Sequence, residues 1–247
     1  MKIALVTGGQ PRFTQAFPIF LSQLKGVTQV DLYFYFFENN WTMDEDEARR
    51  RIEPLLPESV NIKKIVIKPR PTWQLPPHKL SHTSDESQSI RWYYYRATSQ
   101  FLSLNLAFNL IEEEYDAVVR YRLDGRLDQP IDVSSLDLSR GTLFPLNNNH
   151  GTTGREICDQ FCIGKQDDMR FYFEFINHYD EYILETCSYW EVFFHHWSPE
   201  HLLGWHYRKN NKSINHGNFQ VVVKREGRSL YDDHNHHNPV GQDPTIR

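Results

Sequence analysis

Apolar runs and amphipathic stretches alternate along the first half of the chain. Runs rich in β-branched and aromatic residues, typical of buried strands, occupy residues 2–7, 29–37 and 60–67. Periodic apolar positions or a graded charge pattern predict helices at residues 13–24, 44–52 and 84–114. This order of elements predicts a βαβ-type arrangement with parallel strands.

The stretch 115–128 follows the longest predicted helix and joins an apolar run to a run of charges. Its charged residues occupy every second position: Arg120, Arg122, Asp124, Arg126 and Asp128. On an extended strand these side chains share one face. Because ligands bind at the carboxyl ends of strands in open α/β sheets, the charges favour a binding site. A salt-bridge ladder on an exposed edge explains the same spacing.

The second half adds shorter elements. Strands are predicted at residues 141–145 and 219–224, and helices at residues 167–184 and from Ser198-Pro199 onward. The whole chain therefore predicts an α/β fold, in which a mostly parallel central sheet has helices on both faces. Its 247 residues fit one domain.

Composition narrows the functional classes. The net charge is −5 and the pI about 6.2, which argues against nucleic acid as a partner. No apolar run has the roughly 18–20 residues of a membrane span. The three cysteines do not form a disulfide framework, and their odd number suits a reducing compartment. We therefore expect a cytoplasmic protein.

The first strand ends in a glycine turn that could hold an anion. Thr7, Gly8, Gly9, Gln10 and Arg12 lie between the strand and the first helix, where free N–H groups and a cation would face a phosphate. The stretch lacks both the Walker lysine pattern and the three-glycine dinucleotide fingerprint. A tight turn with a solvated arginine is an equally good interpretation.

The start of the long helix mixes cations with aromatic rings in residues 91–96, RWYYYR. This combination can bind a nucleotide, and Arg91 and Tyr95 are the candidates. The acidic net charge favours an aromatic core stripe with one or two arginines directed at a site.

Four motifs together resemble bacterial and viral glycosyltransferases of the lipopolysaccharide- and capsule-synthesis type, which have the Rossmann-like GT-A fold. They are, in order, KIALVTGGQPRF, YDAVVRYRLDGRL, REICDQFCIGKQDDMRFY and SPEHLLGWHYRKN. The resemblance implies transfer of a sugar from a nucleotide-sugar donor to a glycan or lipid-linked sugar acceptor. It implies a donor-binding half at about residues 1–128 and an acceptor-binding half at about residues 129–247.

The resemblance also implies a metal site. GT-A enzymes usually hold Mn²⁺ or Mg²⁺ with an Asp-x-Asp motif, but here Arg126 replaces the second aspartate after Asp124. Asp124 would then be the principal metal ligand, with His216 as a second candidate. In the alternative, Arg122 or Arg126 neutralises the diphosphate without a metal.

Asp159, in the third motif, matches a position near the donor sugar and the acceptor in the family, and is the candidate general base of an inverting reaction. As a bare aspartate it could equally cap a helix or anchor a hydrogen bond. Two other functions remain open: a sugar-phosphate nucleotidyltransferase, and a non-catalytic nucleotide- or glycan-binding relative.

Overall fold

The computed structural model describes residues 1–9, 16–38, 44–72, 84–146, 157–187 and 199–223. The strands are β1 (Lys2–Gly9), β2 (Leu24–Lys25), β3 (Gln29–Glu38), β4 (Val60–Pro69), β5 (Ala117–Tyr121), β6 (Gly125–Leu127), β7 (Ile131–Asp132), β8 (Leu143–Phe144), β9 (Phe161–Gly164), β10 (Asn215–His216) and β11 (Val221–Val223). The helices are α1 (Ala16–Gln23), α2 (Glu45–Ile52), α3 (Ser84–Phe108), α4 (Gln166–Phe173), α5 (Tyr179–Cys187) and α6 (Pro199–Lys209).

A central sheet of seven strands runs through the described part of the chain in the order β10-β8-β9-β5-β1-β3-β4. The pairs β5–β1, β1–β3, β3–β4 and β8–β10 are parallel, whereas β9 is antiparallel to both β5 and β8. The prediction of an α/β fold with a mostly parallel central sheet is confirmed. The sheet takes strands from both predicted halves of the chain.

Side-chain alternation in β1 divides the apolar residues between two cores. Ile3 and Leu5 pack with Phe17 and Phe20 of α1 and with residues of α2. The intervening positions, Ala4 and Val6, pack instead with residues of α3, α4, α5 and α6. Helices therefore cover both faces of the sheet, as the apolar character of its central strands requires.

The charged stretch after β5 does not continue as one strand, so the prediction of a single charged face along it is wrong. β5 ends at Tyr121, and the chain turns so that the Gly125 backbone N–H donates to the Arg122 carbonyl (2.9 Å). The Tyr121 hydroxyl donates to the Gly125 carbonyl (2.5 Å) and closes the turn. The next strand, β6, belongs to a small antiparallel sheet with β11.

Two further predictions needed correction. α3 ends at Phe108 rather than at residue 114, and the acidic residues beyond it pair with lysines of the sheet: Lys64 with Glu112, and Lys2 and Lys63 with Glu113. The helix expected at residues 167–184 is interrupted by a 3-10 turn at Glu174–His178. The start of α6 at Pro199 is as predicted.

Strand β9 was not expected at all. It lies between β5 and β8 and pairs antiparallel with both, so its first residue, Phe161, lies beside Tyr121, the last residue of β5. The segment that precedes β9 therefore reaches the carboxyl edge of the parallel strands.

Candidate functional site

A pocket opens at the carboxyl ends of the neighbouring strands β5, β1, β3 and β4. The chain passes from β1 to β3 on one side and returns through α3 to β5 on the other, so the pocket lies at a topological switch point. The pocket is lined by Thr7, Gly8 and Gly9 of β1, Phe37 of β3, Arg70 after β4, Ser99 and Gln100 of α3, and Arg120, Arg122, Leu123 and Asp124 in and after β5.

The end of β1 is built for close approach of α3. A Cβ atom on Gly8 would lie 2.6 Å from the backbone of Ser103 and of Leu104, so only glycine allows the helix to lie this near. The Thr7 hydroxyl donates to the Tyr121 carbonyl (2.9 Å) and joins the ends of β1 and β5. The close approach at Gly8 places α3 over the pocket.

Arg120 is the most unusual side chain in the pocket. It is only 2% exposed, yet its Nε and Nη1 atoms have no hydrogen-bond partner among the described residues. Its register places it on the α3 side of the sheet, as it does Val118. The buried Ser99 hydroxyl on α3 likewise has no hydrogen-bond partner in the described part. A buried cation with two unpaired nitrogen atoms is costly, and this geometry points to an anionic ligand.

Arg122 and Asp124 form a two-point ion pair at the pocket wall. The Arg122 Nε donates to Asp124 Oδ1 (2.5 Å) and Nη2 donates to Oδ2 (3.0 Å). Asp124 is only 6% exposed. Burial alone lowers the pKa of the Arg122 guanidinium, but the hydrogen bonds and charge of Asp124 outweigh it and raise the pKa; Asp159 and Glu200 act in the same direction. Arg122 is therefore a permanent cation.

Asp159 approaches the pocket from the segment before β9. It is 4% exposed and accepts a hydrogen bond from Gln100 Nε2 (2.5 Å). Gln100 lines the pocket, so one hydrogen bond joins Asp159 to the cavity wall. The antiparallel insertion of β9 thus brings a carboxylate from the second half of the chain to residues of the first.

A comparison with models of known protein families finds no match, and a comparison with curated proteins finds none either. Every helix in the described part is too short or too polar to cross a membrane. The functional interpretation therefore depends on the geometry of the pocket.

The structure brings together five of the predicted site residues, Thr7, Gly8, Gly9, Arg122 and Asp124, as lining of one pocket. Asp159 adjoins them through Gln100. The structural environment of Gln10 and Arg12, and of the Arg91 side chain, lies outside the described residues.

The other predicted residues lie elsewhere. Tyr95 packs edge-on against Tyr94, with ring centroids 6.0 Å apart, and does not line the pocket. Arg126 lies in β6, opposite Val222 of β11. His216 ends β10, three strand positions from β5, or roughly 14 Å at normal strand spacing. Its Nδ1 donates to the Pro145 carbonyl (3.2 Å).

The described residues fit a metal ion poorly. Both oxygens of Asp124 accept from Arg122, and the described part holds no group of three or more histidine, cysteine, aspartate or glutamate residues placed to bind a metal. Manganese or magnesium bound to Asp124 would share the carboxylate with the Arg122 guanidinium and would lie close to that positive charge. The arrangement instead suits an anion held by guanidinium groups.

Sequence reasoning missed several lining residues. Arg70 directly follows β4, and the rule that parallel strand ends share an edge could have found it. Thr98, Ser99 and Gln100 lie between the apolar stripe positions Ala97 and Phe101 of α3, where polar residues are ordinary, so they give a weaker signal. Phe37 ends an apolar run and gives no signal at all.

Proposed function

We propose that this protein is a glycosyltransferase with a GT-A-like fold that uses a nucleoside-diphosphate sugar as donor and a hydroxyl group of a glycan or lipid-linked sugar as acceptor. The observation that carries the proposal is the environment of Arg120. Its buried guanidinium lines a pocket at the switch point, and its Nε and Nη1 have no hydrogen-bond partner in the described part. A diphosphate supplies the oxygens that such a group requires.

The charges of the pocket support a ligand with more than one phosphate. Arg70, Arg120 and Arg122 line it, and Asp124 is the only carboxylate among its lining residues in the described part. The excess of positive charge faces a cavity bounded by the backbone of Gly8 and Gly9. When the donor bond breaks, negative charge develops on the departing diphosphate, and fixed guanidinium groups in a buried site stabilise it without reorganisation.

Asp159 is the residue proposed to receive the acceptor proton. In an inverting reaction the acceptor oxygen forms a bond to the anomeric carbon as the bond from that carbon to the phosphate oxygen breaks. The acceptor proton passes to Asp159, and the electron pair of the broken bond stays on the diphosphate. The hydrogen bond from Gln100 fixes the orientation of the carboxylate.

The proposal is tested first by calorimetric titration of the protein with UDP, GDP, CDP and dTDP, each with manganese and with chelator. We expect one nucleotide to bind, and Arg120→Met to weaken that binding at least tenfold, since a charge-assisted contact to phosphate is worth about 1.5–3 kcal/mol. Arg140→Met is the matched control, because the Arg140 side chain is 78% exposed and does not line this pocket.

The second step measures release of that nucleotide from its sugar conjugates in the presence of candidate acceptors. Asp159→Asn is expected to abolish turnover and leave nucleotide affinity unchanged. Binding without turnover of any donor would favour the non-catalytic nucleotide-binding function. Failure of all four nucleotides to bind would refute the proposal.

A further inference from the structure

Arg122 places a positive charge against both carboxylate oxygens of Asp124, the atoms with which an aspartate would bind a metal. Nε and Nη2 of Arg122 donate to one oxygen each, at 2.5 and 3.0 Å, in the fork geometry that makes arginine–carboxylate pairs strong. A guanidinium has five N–H donors, so three remain after this pair is formed. Arg122 itself lines the pocket, and so does Asp124.

More than one carboxylate stabilises the charge of this guanidinium. Besides Asp124, the charges of Asp159 and Glu200 stabilise the cation of Arg122. Asp159 precedes β9, and Glu200 lies in the first turn of α6, so carboxylates of three separate segments stabilise the charge of one arginine, and Asp124 is the one hydrogen-bonded to it. Several carboxylates likewise balance the charge of a divalent cation in metal sites. Here the cation belongs to the chain.

Arg120 supplies a second, independent observation. Its buried guanidinium lines the same cavity, and its Nε and Nη1 have no hydrogen-bond partner among the described residues. Arg120 lies in β5 and Arg122 directly follows it. The two arginines differ in one respect: a carboxylate orients Arg122, whereas Nε and Nη1 of Arg120 are available to a ligand.

We propose that Arg122, held in place by Asp124, is the resident cation of this site, and that Arg120 and Arg122 bind a diphosphate group without a divalent metal. The identity of the ligand as the diphosphate of a sugar donor rests on the proposed function. Asp124 is then a positioning residue that orients Arg122, and it is not a metal ligand.

This assignment and a metal-ligand role for Asp124 predict different results for Asp124→Asn. Asparagine keeps one oxygen that can accept from Arg122 but removes a negative charge next to the anion. If Asp124 positions Arg122, the variant binds the anion as tightly as the wild type or about threefold tighter, since the substitution removes a negative charge that repels the anion. If Asp124 binds a metal, the variant loses metal-dependent binding.

The experiment uses inorganic pyrophosphate, titrated calorimetrically into the full chain in the presence of chelator and, separately, as its manganese complex. We expect the wild type to bind pyrophosphate in chelator and Asp124→Asn to bind at least as tightly. The double variant Arg122→Met/Asp124→Asn is expected to bind at least tenfold more weakly than Asp124→Asn. The double variant removes the charge of Asp124 together with that of Arg122, so the charged Asp124 carboxylate is not left buried without its arginine. Its comparison with Asp124→Asn therefore measures the contribution of Arg122 to binding in a folded protein.

Asp137→Asn is the matched control, because Asp137 forms an exposed pair with Arg140 away from the pocket. The proposal is overturned if the wild type binds only the manganese complex and Asp124→Asn abolishes that binding, or if loss of Arg122 leaves the affinity unchanged.

The same titrations separate this proposal from the transferase proposal. If pyrophosphate binds in chelator with the expected pattern but no nucleoside diphosphate binds, the resident cation is supported and the donor class is wrong. If a nucleoside diphosphate binds and its sugar conjugate is turned over only with manganese, the transferase stands and the resident cation is refuted.

Discussion

Replacing Arg120 by methionine should make the ligand-free protein more stable. The guanidinium is 2% exposed, and its Nε and Nη1 have no hydrogen-bond partner in the described part, so folding removes them from water without compensation. A buried polar group left unsatisfied costs about 1–3 kcal/mol, and a hydrophobic side chain in place of a buried charge often stabilises a protein by about 1–4 kcal/mol. Methionine is flexible enough to fill the space of the arginine stem.

Thermal unfolding with and without pyrophosphate provides the assay. For a chain of this size 1 kcal/mol corresponds to about 2–4 °C, so we expect the melting temperature of Arg120→Met to rise by at least about 2 °C in the absence of ligand. Pyrophosphate at a hundred times the wild-type dissociation constant should stabilise the wild type by about 2.7 kcal/mol, and a variant that binds tenfold more weakly by only about 1.4 kcal/mol. The stability advantage of the variant should therefore shrink by at least about 1.3 kcal/mol as ligand is added.

A ligand-free Arg120→Met that melts below the wild type would refute this reasoning, because the arginine would then be making favourable interactions within the protein. Arg140→Met provides the control: its side chain is exposed, and we expect a change within about 0.5 kcal/mol in either direction.

Three further predictions concern the scaffold. Gly8→Ala should lower the free energy of unfolding in urea by about 1–3 kcal/mol, because the new methyl group would lie 2.6 Å from the Leu104 backbone nitrogen. Tyr115→Phe should cost about 1–3 kcal/mol in the same assay, since it removes the hydroxyl that donates to the buried Asp31 at 2.8 Å. His206 is buried and neutral, and burial lowers its pKa from 6.5 to about 4. Between these values the unfolded chain binds more protons, so stability should fall as the pH drops from 6.5 to 4, by up to about 3 kcal/mol, and His206→Gln should flatten this dependence in urea titrations at several pH values.

Strand positions in the first half were predictable because each coincides with a short run rich in β-branched and aromatic residues, bounded by polar or turn-forming residues. β1, β3 and β4 begin at the predicted residues and end within two residues of the predicted ends. The close contact of Gly8 with α3 was not predictable, because a glycine at a turn gives the same signal as a glycine under a helix.

The site was predictable only in part. The alternation of charges selected Arg122 and Asp124, which both line the pocket, but it assumed an extended chain, and the turn closed by Tyr121 and Gly125 separates Arg126 from them. That turn depends on a hydrogen bond between side chain and backbone, which no periodicity reveals. Arg70 reaches the pocket because two strands pair, a contact between residues distant in sequence.

The position of β5 between β1 and β9 has a consequence for the order of folding. β1, β3 and β4 follow one another in the chain and can pair as soon as they leave the ribosome, whereas β5 joins β1 across about 114 residues of sequence. Contacts this distant in sequence form slowly, since the intervening chain must first be ordered. Arg120 and Arg122 arrive with β5, so the pocket is completed late in folding. A nascent chain released before residue 117 would contain the glycine turn and α3 but no anion site, and recovery of pyrophosphate binding during refolding would report insertion of the central strand.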